Sequence, residues 1–155
     1  MARAKMLGAV FFMEVNLSMN TEENEAIVRG YMTDIVNNRM VSELGRYFSD
    51  TLVFNETANL TQLTAHVAMM WAAFPDYRLS IEDQMGAGDK VTTRVSFTGT
   101  HQGSFNGISP TGKRVRFAGI AIDRIAGGKV VEMWHISNTA SLLQQIGARF
   151  ATQQV

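Results

Sequence analysis

Hydrophobic and polar positions change their period along this chain, and the change divides it in two. Ile27, Val28, Tyr31, Ile35 and Val36 recur at helical spacing after Asn20-Thr21-Glu22-Glu23, a cap followed by acids where a helix dipole favours them. Asn37-Asn38 ends that helix. A short second helix is predicted over 41–48, with Leu44, Tyr47 and Phe48 on one side. Residues 51–57 alternate as a strand, Leu52, Phe54 and Glu56 opposing Val53, Asn55 and Thr57. A third helix over 61–74 buries Leu63, Val67, Met70, Trp71 and Phe74, and Pro75-Asp76 stops it. Beyond Pro75 the period becomes two. Strands are predicted over 78–85, 90–101, 114–125 and 129–137, separated by glycine-bearing turns. A helical turn or two over 139–147 closes the domain, and 149–155 reads as a loose tail.

Helices first and a meander of strands afterwards argue for an α+β fold, with helices on one face of an antiparallel sheet. Ala126-Gly127-Gly128 suits a three-residue hairpin loop. That loop sets Ile125 opposite Lys129, Asp123 opposite Val131, Ala121 opposite Met133 and Gly119 opposite His135, all on one face. Ile120, Ile122, Arg124, Glu132, Trp134 and Ile136 fall on the other. The helices can cover only one of these faces. The exposed set Ile120, Ile122, Trp134 and Ile136 therefore predicts a homodimer packed through it. On the covered face, Gly119 and Ala121 are small where a packed core would prefer bulk, which predicts a cavity with His135 projecting into it.

Composition narrows the class without choosing a function. At 155 residues, 46% hydrophobic and 18% charged, the chain is an ordinary globular domain. Acids and bases balance at 14 each, so no nucleic-acid partner or anionic membrane is expected. There is no cysteine, which removes disulfides, thiolate metal sites and cysteine nucleophiles. No apolar run is long enough to span a bilayer, and a cytoplasmic location is expected. Arg3 and Lys5 precede the apolar 6–13, but Glu14 follows and no small-residue cleavage site appears. Residues 1–19 read as an extension, with an added edge strand as one form of it, and 20–148 as a single domain.

The chemistry centres on His135. A histidine near its ordinary pKa takes or gives a proton around neutrality. The alternatives are ligand contact or a core hydrogen bond. His66, on the third helix between Leu63 and Met70, could meet His135 across the cavity. Two close imidazoles disfavour double protonation. Asp123 shares the inward face near the hairpin turn. A solvated rim acid is its ordinary role there, and orienting a histidine or substrate its functional one. Asn55 offers an amide from the first strand, and Tyr31 a hydroxyl on an apolar helix face. Met70, Trp71, Phe117 and Met133 supply apolar wall, methionine adapting readily to a ligand's shape. His101 enters a glycine loop and reads as a turn stabiliser. No HxH or HExxH pattern is present, and no metal or other cofactor is expected.

The stretch FPDYRLSIEDQMGAGDKVTTRVSFTGTHQGSFNGISPTGKRVRFAGIAIDRIAGGKVVEMW resembles the SnoaL-like polyketide cyclases, which have the nuclear-transport-factor-2-like cone fold. The matching pieces are Phe74-Pro75-Asp76, Gly88-Asp89, Gly99-Thr100-His101, Pro110-Thr111-Gly112, Gly128-Lys129 and the Gln144–Gly147 ending, within a resemblance over about 20–147. It implies a cone-shaped α+β barrel, a curved antiparallel sheet wrapped around helices. It also implies a cofactor-free aldol condensation on a small hydrophobic, polyketide-like substrate, with an aspartate of the last strand as general acid and base. That aspartate falls at His135. A second acid falls at Asn138, polar substrate contacts at Gly119 and Ala121, and a pocket asparagine near His66. The resemblance thus carries the fold and changes the catalytic set. The expected activity is proton abstraction by His135, with His66 or Asn55 steadying the enolate oxygen, leading to cyclisation or isomerisation. The alternatives are an epoxide hydrolase of the same fold, which would need an aspartate at 135, and a non-catalytic small-ligand binder.

Overall fold

The computed structural model describes residues 20–149. The expected extension over 1–19 lies outside them, as does most of the expected tail.

Helix α1 spans 20–37, α-helical to residue 31 and then π-helical over Met32–Asn37. It buries Val28, Tyr31, Met32, Ile35 and Val36. The Val36 carbonyl falls in the last turn, where helix carbonyls lack intrahelical partners, and the Trp71 indole N–H donates to it at 3.0 Å. Helix α2 is a 3₁₀ turn over Val41–Glu43 continued by Leu44–Tyr47. Helix α3, Leu60–Ala73, starts on a capping box in which Asn59 and Gln62 each accept from the other's backbone N–H. Helix α4, Thr139–Ile146, is capped by Asn138 and closed by Gly147 at φ 107°.

The strands are β1 Phe48–Phe54, β2 Arg78–Ala87, β3 Lys90–Thr100, β4 Arg114–Ala126 and β5 Lys129–Ser137. They form one five-stranded sheet in the order β1-β5-β4-β3-β2. Together with the helices they make the mixed α+β, curved-sheet architecture that the sequence implied. The sheet is antiparallel except at its edge, where β1 runs parallel to β5. The connection from β1 through α3 is a crossover rather than a tight hairpin, which permits that direction.

Two sequence expectations shift. The first strand begins and ends three residues earlier than predicted, because Asn55 and Glu56 turn into the left-handed region at φ 46° and 69°. The β4–β5 loop has two residues, not three. Gly127 and Gly128 both have positive φ, as a type I′ turn requires. The pairing is therefore Ala126 with Lys129 and Ile125 with Val130, followed by a bulge, after which Asp123 faces Met133, Ala121 faces His135 and Gly119 faces Ser137. The bulge restores the side-chain parity that the shorter loop would have reversed. Beyond the bulge the assignment of residues to faces holds while each partner moves by two; before it Val130, not Lys129, faces Ile125 and is buried, and Val131 leaves the ladder.

Along β4 burial alternates without a break: Val115, Phe117, Gly119, Ala121, Asp123 and Ile125 point inward. Helices α1 and α3 lie over that inner face. Ile120, Ile122 and Ile136 remain exposed on the outer one, Ile136 at 79%.

Candidate functional site

Between the helices and the inner face lies a narrow apolar cavity of ≈ 70 Å³, the share of about two waters and roughly half the volume that an apolar cavity needs to hold benzene. Tyr31 and Met32 of α1, Met70 and Trp71 of α3, and Ala121 and Met133 of the sheet are among its walls. A second chamber of ≈ 200 Å³ adjoins it, reached past Phe105, Asn106, Ser137 and Thr139. Both chambers are bordered by His66, Met70, Tyr77 and His135, so the two histidines meet where the hollows join.

Polar atoms inside this hollow are few, and most are already occupied. The Thr64 hydroxyl donates to the Leu60 carbonyl at 2.8 Å. The Tyr31 hydroxyl donates to Asp123. Nε2 of His135 is buried with no hydrogen-bond partner among the described residues. The ring stands edge-on to Phe97, centroids 5.7 Å apart, and Phe97 is stacked between Tyr77 and Phe117. Burial in this apolar wall lowers the His135 pKa to about 4, and the neighbouring His66 adds to the effect. His135 is therefore neutral at physiological pH. His66 lies on the open side of α3, and desolvation of its ring lowers its pKa as well.

Gly119 is not a wall of the cavity, contrary to expectation. A Cβ there would lie 3.0 Å from Phe97 Cε2 and 3.1 Å from His135 Nε2. Its role is the space it leaves, which the His135 ring and Phe97 occupy. Asn55 is likewise not a pocket donor. Its Oδ1 accepts from the His135 N–H at 2.8 Å and its Nδ2 donates to the His135 carbonyl at 3.2 Å. The amide behaves as one more residue of β1, fixing the backbone that carries the histidine. Asn37 does the same for Leu79 at the other edge of the sheet. Asn55 lines neither chamber, so its amide does not face an enolate oxygen formed there.

Asp123 departs furthest from the reading of a solvated rim acid. It is 0% exposed. The Tyr31 hydroxyl bridges its two oxygens at 3.1 and 3.3 Å. Burial drives its pKa up to about 7, against the lowering effect of that hydrogen bond. It stands behind Tyr31 rather than on the cavity surface. Of the remaining expected pocket residues, Tyr31, Met70, Trp71, Ala121 and Met133 line the cavity and Phe117 the outer chamber. His101 closes its loop: Nδ1 accepts from the Thr111 N–H at 3.3 Å and pairs with its hydroxyl at 3.0 Å.

Sequence reasoning missed Tyr77 and Phe97. Phe97 was findable, since it lies on the inward parity of β3. Tyr77 follows the Pro75-Asp76 turn and carries no periodic signal. Its hydroxyl has no hydrogen bond among the described residues, and burial raises its pKa, so it stays a phenol.

Residues 26–146 match the family described as SnoaL-like polyketide cyclase. The chain belongs to that family. Among solved structures it is similar to AclR, a proposed hydroxylase from Streptomyces galilaeus, at 30% identity over 82% of this chain and 97% of that one, with a TM-score of 0.75. IdmH, a proposed polyketide cyclase from Streptomyces antibioticus, matches at 24% identity over 81% and 99% of the two chains, TM-score 0.74. A proposed SnoaL-like polyketide cyclase from Jannaschia sp. CCS1 matches at 20% over 84% and 95%, TM-score 0.74. The last two likenesses speak to fold alone. A comparison with curated proteins finds no match. Among the described residues no helix is long and apolar enough to cross a membrane.

Proposed function

We propose that this SnoaL-like chain is a cofactor-free enzyme that takes a proton from the carbon beside a carbonyl of a small, uncharged, apolar compound. The observation that carries the reading is the buried Nε2 of His135, without a hydrogen-bond partner among the described residues, on a ring that borders an apolar cavity. In its Nδ1–H tautomer the imidazole keeps a lone pair on Nε2. The substrate C–H bond breaks, the proton goes to Nε2, and the electron pair moves onto the carbonyl oxygen. The enolate carbon then attacks a second carbonyl, closing a ring, or takes a proton back at a different carbon, completing an isomerisation. In either case the imidazolium returns its proton and the enzyme is unchanged. Such general-base assistance is worth roughly 10²–10⁴-fold. Its lowered pKa keeps His135 deprotonated across the neutral range and limits its strength as a base. The substrate must therefore be acidified by its own carbonyl.

The cavity sets the substrate's charge and size. Among the described residues no lysine or arginine lines either chamber, so a carboxylate or phosphate would find no cation there. Cyclohexanone is a suitable probe, an uncharged ring that needs the cavity and the adjoining chamber together, with exchangeable hydrogens beside a carbonyl. In D₂O the protein should catalyse exchange of those hydrogens, read by proton NMR, and His135→Ala should lose the catalysis by about a hundredfold or more. Binding without exchange would favour a ligand carrier over an enzyme. Exchange that survives in His135→Ala would remove His135 as the base.

The outer face supports a homodimer. Ile120, Ile122, Trp134 and Ile136 border an open groove on that side of the sheet. No helix among the described residues covers it, and a second copy of the same face would. Sedimentation at micromolar concentration should give a dimer; monomer alone would reject this assembly.

A further inference from the structure

We propose that the Tyr31 hydroxyl binds the substrate's carbonyl oxygen at the inner end of the cavity, and that Asp123 is a positioning residue that sets where that hydroxyl points. The proposal rests on the reading of the cavity as a proton-transfer site and supplies the partner that site lacks. His135 can receive the proton, but the charge it leaves on oxygen needs a donor, and the Asn55 amide is already committed to the His135 backbone.

The β4 alternation places residue 123 where an aliphatic side chain would pack. A carboxyl stands there instead, fully buried, with one hydroxyl bridging both oxygens. A single proton cannot satisfy the acceptor sites of a carboxylate, and burying such a group is costly unless it serves a purpose. Its ladder partners are Val91 on β3 and Met133 on β5. Tyr31 of α1 is the one titratable group acting on it, and the Phe48 ring of β1 lies against Tyr31 with centroids 4.9 Å apart. Ala121, two residues along the same face, and Met133 opposite are both cavity wall, as is Tyr31 itself. The Tyr31 hydroxyl thus stands between the hollow and the buried acid.

Two arrangements of the hydrogen bond follow. With Asp123 protonated, the carboxyl O–H donates to the Tyr31 oxygen, and the Tyr31 proton is free to donate into the cavity. With Asp123 ionised, the Tyr31 proton is drawn to the carboxylate and the cavity loses its donor. Burial places the change between these two near neutrality.

The test uses cyclohexanone labelled with ¹³C at its carbonyl, whose chemical shift moves downfield on accepting a hydrogen bond. Bound to the full chain, it should be downfield of its value in cyclohexane well below the acid's pKa of about 7 and lose most of that displacement well above it. Asp123→Asn, whose amide can donate to Tyr31 at any pH, should hold the displacement on both sides. Tyr31→Phe should abolish it. Because that variant strands a buried carboxyl, the packed pair Tyr31→Phe/Asp123→Leu serves as a second test and should also lack the displacement. A displacement that ignores pH in the natural chain, or persists without the Tyr31 hydroxyl, overturns the proposal. A bound ketone that is unshifted but still exchanges its hydrogens overturns this proposal and leaves His135 as the base. A ketone that does not bind overturns both.

Discussion

The two faces of the β4–β5 hairpin are made from alternate residues of the same strands, yet they treat charge in opposite ways. On the outer face Arg124 and Glu132 pair at 2.8 Å, and the guanidinium holds the carboxyl below its usual pKa. One residue away on the inner face, Asp123 has no cation and is pushed up to about 7. The hydrophobic content of the faces differs in the same sense. The outer carries Ile120, Ile122 and Ile136, bulky and exposed; the inner carries Gly119 and Ala121, small and covered. The desolvated titratable groups Asp123 and His135 have gathered on the side where water is excluded, and the exposed isoleucines on the side where it is not.

The largest effect expected from this contrast is on the pH dependence of stability. Asp123 has a folded pKa raised from 3.8 to about 7, so the native state holds its proton longer and its contribution is lost as pH rises through that range. His135 has a folded pKa lowered from 6.5 to about 4, so its contribution is lost as pH falls through that range. These amount to about 4 and about 3 kcal/mol, opposed in sign. Denaturation of the natural chain should therefore vary little between these limits. Asp123→Asn should become steadily more stable as pH rises, and His135→Ala steadily less. Parallel slopes in all three would show that the two groups are not titrating as described.

Truncation separates the faces next. Met133→Ala on the inner face should cost about 3 kcal/mol in chemical denaturation, and Ile136→Ala on the outer face less than about 0.5 kcal/mol in the isolated chain. Equal losses would mean that Ile136 is buried in solution. Gly119→Ala should cost about 1–3 kcal/mol by crowding Phe97 and the His135 ring. It should also move the His135 imidazole resonances in NMR, a response that a remote packing defect would not give. The smallest effect on folding is expected from Ile120→Lys, within about 0.5 kcal/mol. That change should nevertheless dissociate the proposed dimer in sedimentation, and an unaltered dimer would place the interface elsewhere.

Much of this was legible along the chain. The switch from helical to two-residue period at Pro75 located the elements, and β4 told its inner face from its outer by alternation alone. His135 does border a hollow, though of the two small residues that pointed there only Ala121 lines it. What failed, failed for local and tertiary reasons. Glycines at 127 and 128 admit both a two-residue and a three-residue loop, and only the bulge after Val130 fixed which residues face each other. Asn55 looked like a free donor because nothing in the sequence places β1 against β5.

The sequence by itself determined the α+β class and the two faces of β4, because these depend on periodicity and on turn residues close together in the chain, and its motifs carried the resemblance to the family. The tertiary structure alone decided what each polar group does. Asp123 became a buried acid because Tyr31, 92 positions away, closed over it and excluded water. Asn55 became a backbone mimic because β1 docked beside β5. Ionisation and hydrogen bonding depend on what surrounds a group in space, and that environment exists only once the chain has folded.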